Sequence, residues 1–404
     1  MKAPNLQRAL DRKRYSELRR RLLRRILQPW LGAGTAAAAL VHGTDATAIH
    51  RVLICRPNHR LGNLLLLTPL VAELQRLLPH ATVDIVLAGD HGPELFQGFP
   101  NVRHVYCLAR RMVRHPFATG RVALQMRRAH YDLAIDPCEA SQSSRLLAAL
   151  AQPRQLLGMP RKPDSEALPP AWARSAPVHM AQWPVYLLRT ALRCPLPARA
   201  FPVLEIRLSD DERRRGRETV ASVLRERAAT RTTLGVFAEA TGTKRFSLDW
   251  WRRFMVAAQV HHPTLAFVEI VPADGRARLA PEIPGFGSPN PREVAAAIAG
   301  MDGCVSADCG VMHLANAAGV PTFGLFVTSN LARYAPYGHG SRGLATAGEA
   351  PEVVAQRAVR WIEALTASRP TGDRFHVPVS GDPTRPVPVS VPPVVTGPAG
   401  RPLP

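Results

Sequence analysis

No apolar stretch in this 404-residue chain is long enough to cross a bilayer, and its N-terminus is charged almost from the start, with no signal-peptide core. The six cysteines (55, 107, 138, 194, 304 and 309) form no Cys-x-x-Cys and sit mostly in apolar segments. That pattern predicts buried, reduced thiols and a cytoplasmic protein. No cluster of His, Cys and carboxylate residues has metal-ligand spacing, so neither a metal site nor another cofactor is expected. Acidic residues are scarce: 31 Asp and Glu stand against 52 Lys and Arg, a formal charge of +21.

That charge is unevenly placed. Residues 1–30 hold ten Lys or Arg against Asp11 and Glu17, a local +8. The last thirty-five residues contribute +1, which leaves +12 on the rest. A body so basic attracts polyanions: nucleic acid, anionic lipid or a phosphorylated sugar donor. Nucleic acid is the poorer fit, because no helix-turn-helix, zinc or aromatic-rich single-strand signature is evident. A genome that uses Arg freely is the plainer alternative for part of the excess.

In the N-terminal segment, Tyr15, Leu18, Leu22 and Ile26 recur at helical spacing, with Trp30 beyond and Arg19, Arg20, Arg21, Arg24 and Arg25 interleaved. A basic helix with an apolar stripe suits the anionic inner leaflet of a membrane. A helix docked on its own domain, or a disordered arm, is the alternative.

A length of 404 residues and 46% apolar content suit two domains. Residues 1–49 read as the basic amphipathic segment. Residues 50–200 read as a doubly wound domain with a Pro-rich bridge that includes Lys162-Pro163-Asp164. Strands are expected near Val52–Cys55, Thr82–Leu87, Val102–Tyr106 and Tyr131–Asp136, and helices near Leu64–Leu78, Phe117–Arg128, Ser141–Ala151 and Val185–Arg193. Residues 201–368 repeat the pattern, with strands near Leu234–Ala238, Leu265–Val271, Gly303–Ser306 and Thr322–Phe326. Helices there are expected near Asp210–Arg227, Asp249–Val260, Pro291–Gly300, Met312–Ala318 and Ala350–Thr366. Residues 369–404, with ten prolines from Pro370 onward, read as a disordered tail.

Two strand-to-helix junctions carry the chemistry. Val305-Ser306-Ala307-Asp308-Cys309-Gly310-Val311-Met312-His313 runs from a buried strand straight into a helix, whose first N–H groups point into the crevice where an α/β fold holds phosphate. The plainer alternative makes Asp308 an N-cap and leaves His313 on the helix surface. The other junction, Arg51 to Asn63, takes an apolar strand into the basic loop Arg56-Pro57-Asn58-His59-Arg60-Leu61-Gly62-Asn63, then into an apolar helix carrying Thr68-Pro69.

This opening resembles that of glycosyltransferase family 9, the heptosyltransferases of lipopolysaccharide synthesis. Thr241-Gly242-Thr243-Lys244-Arg245-Phe246-Ser247-Leu248-Asp249-Trp250-Trp251 is similar to the family's Lys-x-Trp-x-x-x-x-Trp segment. Asp308 to His313 resembles its Asp-Thr-Gly-x-x-His, and Arg333-Tyr334-Ala335-Pro336-Tyr337-Gly338 follows in the family's order. The resemblance implies an α/β GT-B fold, two doubly wound Rossmann-like domains facing a cleft. It implies an inverting, metal-independent transfer of a sugar, a heptose for this family, from an ADP-heptose-like nucleotide-sugar donor to an anionic glycolipid acceptor. The C-terminal domain would hold the donor and the N-terminal domain the acceptor.

With no Asp-x-Asp metal site evident, charge building on the diphosphate must be met by the protein. Lys244 and the N–H groups near Cys309 and Gly310 suit that role, with Thr241 and Thr243 as hydroxyl donors. Asp308 and His313 are further donor-side candidates. Glu239 and Asp274 each follow an apolar strand where a ribose or adenine is read; Asp274 is taken as the donor-binding candidate. Arg56, His59 and Arg60 suit an acidic acceptor.

The departures bear on catalysis. Where the family has Gly-Asp, with the Asp held to be the general base, this chain has Gly62-Asn63, and an amide cannot take a proton near neutral pH. Either His59 replaces the base, or Asn63 orients the acceptor while the proton goes to phosphate or water, or the chain binds nucleotide sugar without transferring it. Cys309 replaces the family Thr and loses a hydroxyl. Phe246 replaces a Trp and keeps its packing. A non-catalytic nucleotide-sugar binder and a basic nucleic-acid-binding protein therefore stand as rival readings.

Overall fold

The computed structural model describes residues 46–367 apart from 111, 139–140, 159–175, 193, 195–199, 225–231, 273–278 and 281. The basic N-terminal segment, Lys162-Pro163-Asp164, the donor candidate Asp274 and the proline-rich tail lie outside the described residues.

Apolar runs without polar alternation are the mark of strands covered on both faces. Val52-Leu53-Ile54-Cys55 is such a run, and all four residues have no exposed surface. It forms the heart of β1 (Arg51–Arg56), the central strand of a parallel sheet with β2 (Thr82–Ala88), β3 (Val102–Leu108), β4 (Leu133–Asp136) and β5 (Gln155–Gly158). The strand order is β3-β2-β1-β4-β5. A second, six-stranded parallel sheet has the order β11-β10-β9-β6-β7-β8, from β6 (Thr232–Phe237), β7 (Leu265–Ile270), β8 (Gly285–Phe286), β9 (Gly303–Ala307), β10 (Thr322–Phe326) and β11 (Arg342–Ala345). The short strands β5, β8 and β11 had no counterpart among the expected elements; runs of two to four residues carry too little periodicity to be read.

Helices cover both sheets. Those of the first half are α1 (Leu61–Leu65), α2 (Thr68–Leu77), α3 (Gly92–Phe96), α4 (Pro116–Arg128), α5 (Gln142–Leu150) and α6 (Gln182–Ala191). The second half holds α7 (Asp210–Leu224), α8 (Leu248–His261), α9 (Pro291–Ala299), α10 (Gly310–Ala317), α11 (Leu331–Tyr334) and α12 (Pro351–Ala367). The expected single helix Leu64–Leu78 is in fact two. Pro69 lacks the N–H that would continue the first helix and instead occupies the first turn of α2, where none is needed. The Thr68 hydroxyl donates to the Leu65 carbonyl at 2.8 Å and closes the break.

The two sheets are locked together by buried polar contacts as well as apolar ones. The segment before α7 runs between α2 and α10: the Glu205 N–H donates to Thr68 Oγ1 (3.1 Å) and the Ile206 N–H to the Ala317 carbonyl (2.9 Å). Arg292, at the start of α9 and only 4% exposed, holds this segment from the other side. Its guanidinium pairs with Glu212 at 2.6 Å and donates to the carbonyls of Ile206, Arg207 and Glu94, the last in α3 of the first half. In return Arg292 pulls the Glu212 carboxyl down to about 2. Glu73 of α2 is likewise buried, between Arg76 and Arg189 of α6; burial alone would raise its carboxyl, but hydrogen bonds from the two guanidinium groups outweigh it.

Candidate active site

In an open parallel sheet a crevice forms where the chain's winding reverses, because successive crossovers leave in opposite directions there. In the first sheet that point lies between β1 and β4, and in the second between β6 and β9. The carboxyl ends of β1, β6 and β9 converge on one cavity of about 840 Å³, within the range of ligand sites.

From β1 come His59, Arg60, Gly62 and Asn63. From the loop after β6 come Glu239, Thr241, Lys244 and Arg245, and from the end of β9 come Asp308, Cys309, Gly310 and His313. Residues far apart in the chain are thus gathered on one cavity: His59, Arg60 and Asn63 on one wall, Thr241, Lys244, Asp308, Cys309, Gly310 and His313 on the other. Two candidates are elsewhere. The Arg56 guanidinium lies outside the cavity lining and donates to Cys138 Sγ at 3.2 Å. Thr243 sits with its hydroxyl 3.2 Å from that of Thr328, outside the cavity lining.

The centre of the second wall is an ion pair. Lys244 ends the single turn Gly242–Lys244, whose Gly242 has a positive φ of 66° that side chains disfavour. That turn carries its Nζ to 2.6 Å from Asp308 Oδ2. Asp308 is 6% exposed, whereas Lys244 keeps 35% of its side chain open to the cavity. A second pair, Arg245 and Glu239 at 2.7 Å, lies beside the first. Glu239, in sequence only a carboxylate after a strand, and Arg245, which no motif marks, both line the cavity, and Tyr334 of α11 lines it too.

The residue capping α10 is Cys309, in extended conformation, rather than Asp308. Burial pushes its thiol up, so a neutral sulfur, 3.3 Å from Ser306 Oγ, faces the helix start. The Val311 and Met312 N–H groups at the start of α10 point at this sulfur, with the Asp308 carboxylate close by. His313, on the next turn, is 5% exposed and not on the helix surface. Burial lowers its imidazole to about 4, which leaves it neutral near pH 7. Its ring lies against Gly62: a Cβ added there would meet His313 Cδ2 at 2.8 Å and Gly310 Cα at 3.3 Å. Among the described residues no three His, Cys, Asp or Glu side chains converge as metal ligands.

The sequence profile of glycosyltransferase family 9 (heptosyltransferase) matches residues 119–361. The chain belongs to glycosyltransferase family 9. The matched span includes Lys244 and the Asp308–His313 junction and begins well after α1, which carries Asn63. Solved structures share the fold, three of them as follows. A family 9 glycosyl transferase from Veillonella parvula is 16% identical, with a TM-score of 0.64 over 81% of this chain and 100% of its own. The E. coli heptosyltransferase WaaC with ADP is 19% identical (TM-score 0.56, 78% of this chain, 99% of its own). The E. coli ADP-heptose lps heptosyltransferase II is also 19% identical (TM-score 0.57, 78% and 98%). No curated protein matches the chain in sequence. The two facing parallel sheets are the GT-B arrangement of family 9, with the cavity in the cleft between them.

Proposed function

We propose that this family 9 member is an inverting, metal-independent glycosyltransferase that moves a heptose or related sugar from a nucleoside-diphosphate donor to a lipopolysaccharide-core-like glycolipid. The observation that carries the reading is the Lys244–Asp308 pair at 2.6 Å beside the first turn of α10. When the bond between the anomeric carbon and the diphosphate oxygen breaks, its electron pair stays on the phosphate. The partly exposed Lys244 ammonium and the N–H groups at the start of α10 are the donors that meet that charge. Thr241 supplies a hydroxyl on the same side. The acceptor hydroxyl approaches from the wall that carries His59, Arg60 and Asn63, and attacks the face opposite the leaving group. In this reading His59 accepts the hydroxyl proton and Asn63 orients the acceptor, since an amide cannot act as base. Arg60 favours an acceptor bearing phosphate or carboxylate. The basic segment of residues 1–30 would hold the enzyme at the inner leaflet, where such acceptors reside, with the catalytic body in the cytoplasm.

Asn63 also favours a second reading, a nucleotide-sugar binder without transfer. Thermal unfolding against ADP, UDP, GDP and CMP, with Lys244→Ala as control, tests the donor site, because a ligand that binds only the folded state raises its stability. A shift with ADP alone, lost in Lys244→Ala, supports the heptosyl-type donor. A shift with another nucleotide changes the sugar class, and no shift at all removes the donor site. Transfer to a glycolipid acceptor by the wild type separates enzyme from binder.

A further inference from the structure

Helix α4 has two unlike faces. Met126, buried in the first sheet's core, and the half-buried Val122, Ala123 and Ala129 form the inner one. At 100° per residue, Phe117, Arg121, Leu124 and Arg128 fall on one stripe on the opposite side. Phe117 is 92% exposed and Leu124 47%. Single exposed apolar residues need no explanation, but two on one stripe with an arginine after each form a pattern. The surroundings have a single sign as well. From Leu95 to Tyr131 the chain has seven arginines and no Asp or Glu. Arg103 is taken up by the Asp84 carboxylate; Arg114, Arg121, Arg127 and Arg128 have no acidic partner among the described residues.

The position of this face matters. The loop between β3 and α4 starts at the cleft rim: Gly89, whose N–H donates to the Leu108 carbonyl, would carry a Cβ 3.2 Å from His59 Cβ and 3.8 Å from Arg110 Nε. The chain that leads into α4 thus leaves β3 beside His59.

We infer that the outer stripe of α4 is a docking face for an anionic bilayer leaflet, with Phe117 and Leu124 entering the acyl boundary and Arg121 and Arg128 engaging lipid phosphates. Charge complementarity selects this partner, since cations flanking protruding apolar side chains match an interface that is acidic outside and apolar beneath. Nucleic acid would use the arginines but leave Phe117 and Leu124 in water. The inference goes beyond the transfer reading and is independent of it, because it needs no acceptor in the bilayer. It also places a membrane contact outside residues 1–30.

The test uses the full chain with phosphatidylcholine vesicles, with and without phosphatidylglycerol. In a Phe117→Trp variant, the added emission over wild type should shift to the blue on anionic vesicles and be quenched by acyl-brominated lipid. Phe117 is exposed, so the substitution leaves the core intact. The Arg121→Gln/Arg128→Gln variant should bind anionic vesicles about thirtyfold more weakly, from roughly 1 kcal/mol per arginine at a charged surface. Vesicle binding with no change in the added emission would overturn the inference and leave contact to the N-terminal segment. No vesicle binding would overturn it too. Emission changes with an oligonucleotide alone, or with protein concentration alone, would replace the leaflet by nucleic acid or a second copy.

Discussion

Gly62 and Gly310 touch across the cleft. A Cβ on Gly310 would lie 3.2 Å from the backbone nitrogen of Gly62 and 3.1 Å from Leu61 Cβ, so the starts of α1 and α10 approach as only two glycines allow. Neither residue has a positive φ, so the requirement is one of space and not of backbone freedom. Through this contact the segment that carries His59, and Asn63 in α1, is held at a set distance from the helix start beside Lys244 and Asp308.

Gly310→Ala should therefore push the two walls apart. The obstacles are Leu61 Cβ at 3.1 Å and the Gly62 nitrogen at 3.2 Å, both fixed to the backbone of α1, and overpacking typically costs about 1–3 kcal/mol. Thermal unfolding should show a lowered midpoint. Gly62→Ala should behave alike, because its obstacle is the buried ring of His313. An unchanged midpoint in both would mean that the helices separate without cost.

Lys244→Ala should weaken nucleoside-diphosphate binding by roughly 10- to 100-fold, the worth of one charge-assisted hydrogen bond of about 1.5–3 kcal/mol. Asp308→Asn, which removes the carboxylate that Lys244 now faces at 2.6 Å, should leave nucleotide affinity within a few fold or raise it. Isothermal titration with ADP separates the two. Equal losses in both variants would count against Lys244 as the phosphate cation.

The general base can be tested by restoring the missing carboxylate. Asn63→Asp should raise kcat for transfer, and His59→Gln should lower it by about 100-fold, a typical contribution of proton transfer. Adding Asn63→Asp to His59→Gln should recover most of the loss. If His59→Gln leaves kcat unchanged, the proton goes elsewhere.

The pH dependence of stability carries a signature of His313. Its folded value, near 4, is below the usual 6.5, so between these limits the unfolded chain binds a proton that the folded chain refuses. Stability from this residue is complete above pH 6.5 and falls as the pH drops towards 4, by up to about 3 kcal/mol. His179 and His339 are lowered by burial in the same direction, so the comparison is wild type against His313→Gln in urea titrations at pH 7.5 and pH 5. A wild-type loss equal to that of the variant would show that His313 is protonated in the folded state.

Breaking the Arg292 clamp should cost the most. Arg292→Ala leaves the Glu212 carboxylate without its guanidinium and three carbonyls without their donor, and loss of one partner from a buried pair costs about 3–5 kcal/mol. Arg292→Lys should recover only part, since an ammonium cannot reproduce the fork. A midpoint unchanged in Arg292→Ala would remove the clamp as a stabilising contact.

Much of this was legible in the chain itself. Unbroken apolar runs such as Val52–Cys55 mark strands covered on both sides, because every side chain in them must leave water. Ser141, Ser247 and Asn290 mark helix starts, because each side chain accepts a backbone N–H that would otherwise be unpaired. The Asp308-Cys309-Gly310 junction identified itself through the short-range switch from strand to helix. These are local effects, set by neighbours within a turn or two.

What the tertiary structure decided are relations between distant residues. That Arg56 turns to Cys138 while Arg60 faces the cavity, that Glu239 pairs with Arg245 in its wall, and that His313 is sealed against Gly62 all depend on how two sheets meet. Basic residues on one loop look alike in sequence, because charge does not encode direction. The loop's direction is set by packing spread over many weak contacts, none of which a single residue announces. The chain by itself determined its longer strands, most of its helices and its family; the meeting of Gly62 with Gly310, and the cavity this leaves beside Lys244 and Asp308, arose only when the two halves packed.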